Sequence, residues 1–413
     1  MSDMEKFRAL GISEETIAAL ERKGFEEPSP IQAAAIPLLL KGEKDVIGQA
    51  QTGTGKTAAF GIPIIEKVIE NAGCVQALIL TPTRELAIQI AEELNSLKGT
   101  KKLTIIPVYG GQAIDIQLRH LRRGVDIVVG TPGRIMDLMR RGALVINELS
   151  FAVLDEADEM LNMGFIEDIE TILEATGKDK SMLMFSATMP AQIMNIARKF
   201  MRDYEIVQVK QRQMTANLTA QIYFEVRRED KFEALTRIID MEGDFYALVF
   251  CRTKNDVDEL ANKLQNRGYV TEALHGDISQ SQRIKVIEKF KQQQFNILIA
   301  TDVAARGIDI NNLTHVINFS IPQDAESYVH RVGRTARAGR QGTAITFVTP
   351  SEYRRLLEIQ RQSGTKISKE YLPSVNDISR RREERLRDNL SAMIAEGKHN
   401  DYLDLAQAML TDT

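Results

Sequence analysis

Short apolar runs alternate with longer amphipathic stretches along most of the chain. In the first half the runs fall at 45–48, 77–80, 104–109, 126–130 and 151–154, with helical periodicity between them at 85–97 and 113–123. Continuous apolar strands separated by helices predict a parallel sheet covered on both faces. Ahead of it, residues 7–23 read as one amphipathic helix, with Ser13 as N-cap and Ile17 and Leu20 on its apolar face. After a polar stretch the alternation restarts, with strands expected at 220–226, 247–251, 270–273, 296–300, 314–318 and 342–347. Helices are expected between them at 231–241, 256–267, 280–292 and 325–331. Beyond about Lys366 the pattern is purely helical. Residues 374–396 start at Ser374 and place Leu386, Leu390, Met393 and Ile394 on one face, opposite Arg380-Arg381-Arg382. Gly397-Lys398-His399-Asn400 reads as a stop, and Tyr402, Leu403, Leu405, Ala406, Met409 and Leu410 begin a second apolar face. The expected organisation is α/β: domains at 1–207 and 218–366, a linker at 208–217 and a helical segment at 367–413.

Composition narrows the class without choosing a function. The 413 residues are 43% hydrophobic and 27% charged, as in ordinary globular protein. A net charge of −4 argues against a passive, histone-like binder, so any nucleic-acid site must be a local basic surface. Cys74 and Cys251 lie in different predicted domains and offer neither metal spacing nor a disulfide framework, which suits a reducing cytoplasm. The N-terminus lacks a signal-peptide core, and no apolar run approaches membrane-spanning length, so no membrane partner is expected.

Chemistry concentrates where the expected strands end. Gln51-Thr52-Gly53-Thr54-Gly55-Lys56-Thr57 joins an apolar run to a helical pattern, the context a P-loop requires. Gly53 and Gly55 let consecutive amides face one point, at a helix N-terminus that favours anions. Lys56 can reach the β- and γ-phosphates of ATP, and the Thr57 hydroxyl can ligate Mg²⁺. A Gly-rich turn that binds nothing is the alternative, and later residues weigh against it. Asp155 ends a buried apolar run, where a second Mg²⁺ contact belongs, and Glu156 can orient and deprotonate the attacking water. Acidic residues also favour helix N-termini for purely structural reasons. Gln32, after a Pro-bounded turn, can present a donor and an acceptor to adenine, although alone it would read as a surface or cap residue. The second half has no P-loop, so ATP is expected between two sheets, with the second supplying groups in trans. The arginine cluster at 331–340 contains Arg334 and Arg337, whose planar, permanently charged forks suit the charge developing on a transferring phosphoryl group.

Asp155-Glu156-Ala157-Asp158 spells the name of the DEAD-box RNA helicases, and the chain resembles that family over roughly residues 7–350. The resemblance implies two tandem RecA-like parallel-sheet domains with a short C-terminal helical extension. Phe7, Gly24, Phe25 and Gln32 match the adenine-recognition region. Pro82-Thr83-Arg84, Gly110-Gly111 and Thr131-Pro132-Gly133-Arg134 match signatures that line the RNA path, and Ser186 and Thr188 match the pair that couples hydrolysis to unwinding. By the same resemblance Arg334 and Arg337 are arginine fingers, Gly307 and Asp309 belong to the nucleotide site with Asp309 holding the ribose, and His330 bridges towards Asp158. Arg252, Thr253, Gly276, Gln280, Arg283 and Thr301 are candidates for the second half of the RNA path. Backbone amides, hydroxyls and arginines grip phosphates without a base code, and with no tryptophan and only 6% aromatics stacking platforms are sparse. Binding to single-stranded and short duplex RNA is therefore expected to ignore sequence.

The whole chain is similar to bacterial cold-shock-type members of the family. That implies an RNA-dependent ATPase with roles in RNA decay, ribosome assembly, cold adaptation and stress response, contacts with RNA-decay components, and a homodimer through residues 370–413. Such proteins usually continue into a basic, disordered tail, whereas this chain stops at Thr413, which points to a truncated form. Two rivals stand beside the helicase reading. A DNA-directed translocase of the same superfamily would respond to DNA, against which the Gln32 region and the Asp-Glu-Ala-Asp spelling speak. A static, ATP-gated scaffold would not need Glu156 and both arginines.

Overall fold

The computed structural model describes residues 3–50, 54–208, 219–305, 308, 310, 313–335, 341–395 and 407. They form two compact units, with the strands of the first ending at Gln208 and those of the second starting at Thr219. In the first, strands β1 (Asp45–Gln49), β2 (Ala77–Leu80), β3 (Ile105–Val108), β4 (Ile127–Gly130), β5 (Phe151–Asp155), β6 (Ser181–Ser186) and β7 (Tyr204–Gln208) form one parallel sheet. Their spatial order is β3-β4-β2-β5-β6-β1-β7. Side chains alternate across it: Val46, Ile79, Val153 and Leu183 pack into one apolar cluster, while Ile47, Leu78, Leu80, Leu154 and Met184 enter another on the opposite face. Burial on both faces is why these runs read as continuously apolar.

The second unit carries β8 (Thr219–Glu225), β9 (Ala247–Cys251), β10 (Thr271–Leu274), β11 (Ile297–Thr301), β12 (His315–Asn318), β13 (Gly342–Val348) and β14 (Ser368–Glu370). Their order is β10-β11-β9-β12-β13-β8-β14. Adding seven to each strand number of the first sheet reproduces the second, so the two units share one topology and one parallel sheet design.

Four elements stand out against expectation. The helix expected over 7–23 is two, Asp3–Arg8 and Glu14–Arg22, because Gly11 turns the chain through a left-handed φ of +86° before Ser13 caps the second. Strands β6 and β7 were not expected. The first is rich in methionine and serine, and the second is an edge strand with only Val207 buried, so neither presents an unbroken β-branched run. Strand β14, a short exposed edge, was missed for the same reason.

The last helix, Val375–Ala395, starts after Ser374, whose hydroxyl accepts from Asp377 N at 3.2 Å. It is held to the helix Lys231–Met241 by Arg382, 2.7 Å from Asp240, and by Arg385, which donates to the carbonyl of Met241. Leu386, Leu390 and Ile394 are 61%, 50% and 59% exposed, a stripe at i, i+4 and i+8 along the helix. The second apolar face expected near 402–410 lies outside the described residues, as does most of the linker. Among the described residues no helix is long and apolar enough to cross a membrane.

Candidate functional site

In each sheet the candidate residues collect at the carboxyl ends of the strands, where ligands bind in open α/β folds. Along the first sheet they divide. The nucleotide candidates follow β1, β5 and β6, which are neighbours, and the RNA candidates follow β2, β3 and β4.

At the nucleotide end, Gly55 caps the helix Lys56–Lys67 with φ +88°. A Cβ there would collide with the Gln32 carboxamide, so both backbone angle and contact demand glycine. Gln32, 2% exposed, donates from Nε2 to Gly55 O (3.1 Å) and accepts at Oε1 from Ser29 N (2.9 Å). It thus ties the Pro-bounded turn to the P-loop while keeping one N–H and one lone pair. Phe7 is fully buried and packs edge-on against the half-buried Phe25 at 6.3 Å between ring centroids. Phe7 therefore sits as a backstop to Phe25. Thr57 is half-buried, one residue beyond Lys56. Gln51, Thr52 and Gly53 lie outside the described residues, as do Gly307, Asp309 and Arg337.

Lys56 is 6% exposed, and its Nζ makes no hydrogen bond; the nearest carboxylate, Asp155 Oδ1, stands 3.9 Å away. A buried ammonium with unused donors fits an anionic ligand. Asp155 itself is pushed up to about 6 by burial, against the pull of Lys56 and with help from Glu156. A buried carboxylate that ionises at such cost fits a divalent cation, which would offset that cost. Glu156 adopts φ 52°, ψ 51°, a left-handed conformation uncommon outside glycine, and its amide donates to Asp155 Oδ1 at 3.0 Å. Strain of this kind persists where the surroundings over-determine the backbone.

Asp158 connects the motif to β6. Its Oδ2 accepts from Ala187 N (3.0 Å), Thr188 N (2.8 Å) and Thr188 Oγ1 (3.0 Å), and its own amide donates to Ser186 Oγ at 3.2 Å. The Ser186-Ala187-Thr188 turn is therefore locked to the Asp-Glu-Ala-Asp turn by one carboxylate.

At the RNA end, Pro82 precedes Thr83, which caps the helix Arg84–Leu97 by accepting from Leu86 N at 3.3 Å. Gly111 has φ +89°, and a Cβ on it would meet the Arg84 guanidinium, so the Gly110-Gly111 turn lies against Arg84. Thr131 is the N-cap of the helix Pro132–Arg140, which opens with Pro132-Gly133-Arg134. Arg134 donates to Gln117 Oε1 (3.0 Å) and Gln112 O (3.3 Å), and Gln117 Nε2 donates to Tyr109 O (3.0 Å). Gln117, 2% exposed, is the residue the sequence reading missed. The available signal was a glutamine on the inward face of an amphipathic helix.

The second unit repeats the arrangement. Arg252 and Thr253 follow β9, Gly276 follows β10 and Thr301 ends β11, the counterparts of β2, β3 and β4. Gln280 opens the helix Gln280–Lys291, from which Arg283 donates to Ala304 O at 2.7 Å. His330 and Arg331 lie in the last turn of the helix Ala325–Val332. Arg331 grips Asp302 with two bonds (2.6 and 2.7 Å) and also donates to Asn318 Oδ1 (2.9 Å) and Ser320 O (2.8 Å). Arg334, 8% exposed, falls in the turn beyond the helix end, its amide bonded to Arg331 O.

Asp155 also carries a pH dependence. Its carboxyl ionises near 3.8 when unfolded but near 6 in the fold, so its contribution to stability is intact below about pH 4 and is lost as pH rises to about 6. Replacing it removes that dependence. The stability of Asp155→Asn minus that of the wild type, read from urea unfolding of nucleotide-free protein, should rise by about 2 kcal/mol from pH 4 to pH 7. A difference that stays flat with pH would refute the buried-carboxylate assignment.

The comparisons with known proteins agree with this geometry. A DEAD/DEAH box helicase family model matches residues 29–196, and a helicase conserved C-terminal domain model matches residues 230–339. The chain belongs to the DEAD-box ATP-dependent RNA helicases. It is similar to the CshA DEAD-box helicase of Geobacillus kaustophilus, 54% identical over 91% of this chain and 80% of that protein. It is also similar to CshA of Bacillus subtilis, 47% identical over 98% and 82%. Among solved structures, Saccharomyces cerevisiae Dbp5 bound to RNA and ADP BeF3 matches at TM-score 0.81 and 30% identity, covering 91% of this chain and 98% of that one.

Proposed function

We propose that this helicase is an RNA-stimulated ATPase that grips the sugar–phosphate backbone without reading sequence and locally separates short duplexes. In this reading ATP and RNA bind together when the two domains close, and hydrolysis reopens them. The observation that carries it is the buried Lys56 ammonium, without a hydrogen bond, beside the turn that holds Glu156. Lys56 holds the phosphates, Gln32 orients the base, and Glu156 positions and deprotonates the attacking water. Thr57 and Asp155 would hold Mg²⁺, which neutralises phosphate charge when bound. Arg334 and Arg337 stabilise the charge that develops on the transferred phosphoryl group. Asp158, with Ser186 and Thr188 bonded to it, is the link by which a change at the phosphate reaches β6. Phosphate release measured with no nucleic acid, with single-stranded RNA and with matched DNA tests the proposal. Hydrolysis should rise several-fold with RNA alone, and equal rates in all three arms would end it.

Roles in RNA decay, ribosome assembly and cold adaptation, and a cytoplasmic location, rest on the resemblance of the motifs to cold-shock-type members of the family and belong to the same proposal. So does a homodimer through residues 370–413. Leu386, Leu390 and Ile394 stand at helical spacing on the exposed side of an anchored helix, a seam that a second copy would cover. Changing all three to Ser should convert a dimer to a monomer by size exclusion with light scattering. An unchanged mass would exclude this face.

A further inference from the structure

Because the two sheets repeat strand for strand, each position along one carboxyl edge has a counterpart along the other. The counterpart of the P-loop is the turn after β8, and that of Lys56 is Lys231. Each lysine is the first residue of the helix following its strand, and each is more than nine-tenths buried, at 6% and 7% exposure. The second turn reads Val226-Arg227-Arg228-Glu229-Asp230 and contains no glycine, so its amides cannot curl around a chain of phosphates. At that place lies a cavity of about 650 Å³, within the range of small-molecule sites.

Six basic side chains line this cavity, Arg227, Arg228, Lys231, Arg252, Lys263 and Arg355, against four carboxylates. Lys231 Nζ donates to Phe319 O at 3.1 Å and lies 3.5 Å from Glu352 Oε2. An ammonium has three donors, so one remains for a ligand. The helix Lys231–Met241 starts here and adds partial positive charge. We propose that the cavity is a second phosphate site, taking one dianionic phosphoryl group as inorganic phosphate or as the phosphomonoester of a nucleotide. Arginine forks on the rim replace the missing amide cradle, which suits a single phosphoryl group and not a triphosphate.

The test uses the whole chain carrying Lys56→Ala, which disables the first-domain phosphate grip. Calorimetric titration with inorganic phosphate and with AMP, at constant ionic strength, should show saturable binding at one site. Adding Arg228→Gln and Arg355→Gln, both exposed on the rim, should weaken it about tenfold or more without moving the unfolding midpoint, as expected for two lost charge-assisted hydrogen bonds. Lys231→Gln should abolish it. Equal affinities for phosphate and AMP would assign recognition to the phosphoryl group alone, and tighter AMP that the rim pair also weakens would add the nucleoside; both support the site. Tighter AMP that the rim pair leaves unchanged is adenine binding at Gln32 and overturns the nucleotide form of the proposal. Absence of saturable binding overturns the proposal. So does a rim pair that leaves the titration unchanged while weakening single-stranded RNA, because the cavity would then belong to the RNA path.

Discussion

Glu156→Gln should retain ATP and RNA binding within a few-fold and lose turnover by about 10²–10⁴, the usual range for a removed general base. The substitution conserves volume, and the amide bond that holds the turn, Glu156 N to Asp155 Oδ1, belongs to the backbone and survives it. The side chain is 6% exposed in a left-handed turn, so little solvent stands ready to replace its function. Glu156 also raises the Asp155 carboxyl through its charge, so removing that charge makes Asp155 easier to ionise. Nucleotide binding is therefore not expected to fall with catalysis. Single-turnover hydrolysis and equilibrium binding, measured on one preparation, separate the two. Unwinding by this variant over many cycles would defeat the assignment.

Arg334→Ala should cut turnover by about 10³–10⁵, the range for a lost arginine finger, while ATP still binds the first domain. Its position is set from within the second domain. Arg331 is clamped to Asp302, Asn318 and Ser320, Arg334 N bonds to Arg331 O, and Thr335 Oγ1 donates to Leu313 O at 2.5 Å. The turn thus holds its shape when the Arg334 side chain is trimmed, and the unfolding midpoint should move little. Arg334→Lys should not restore the rate, because an ammonium lacks the planar fork that meets two phosphoryl oxygens at once. Wild-type turnover in either variant would remove Arg334 from the mechanism.

The two predictions rest on different kinds of legibility. Glu156 could be chosen from its place after an apolar run, but its left-handed backbone could not, since no glycine or asparagine marks it. Arg331 was visible only as a member of a dense basic cluster. Its role as the clamp beneath Arg334 depends on Asp302, which lies 29 residues away in the chain and meets it because β9 pairs with β11 on one side and with β12 on the other. Gln117 likewise looked like one more polar residue on an amphipathic helix until the structure placed it under Arg134.

Local order was written in the chain: the alternation of strands and helices, the P-loop, the acidic run at 155–158 and the arginine cluster of the second half. Each depends on residues a few positions apart, where periodicity and turn chemistry act directly. The order of strands in each sheet, the repetition of one sheet by the other, and the lock of Asp158 onto Ser186 and Thr188 came from the folded state. Those features join residues far apart in sequence, and burial of both sheet faces, a property of the assembled layers, is what selects them.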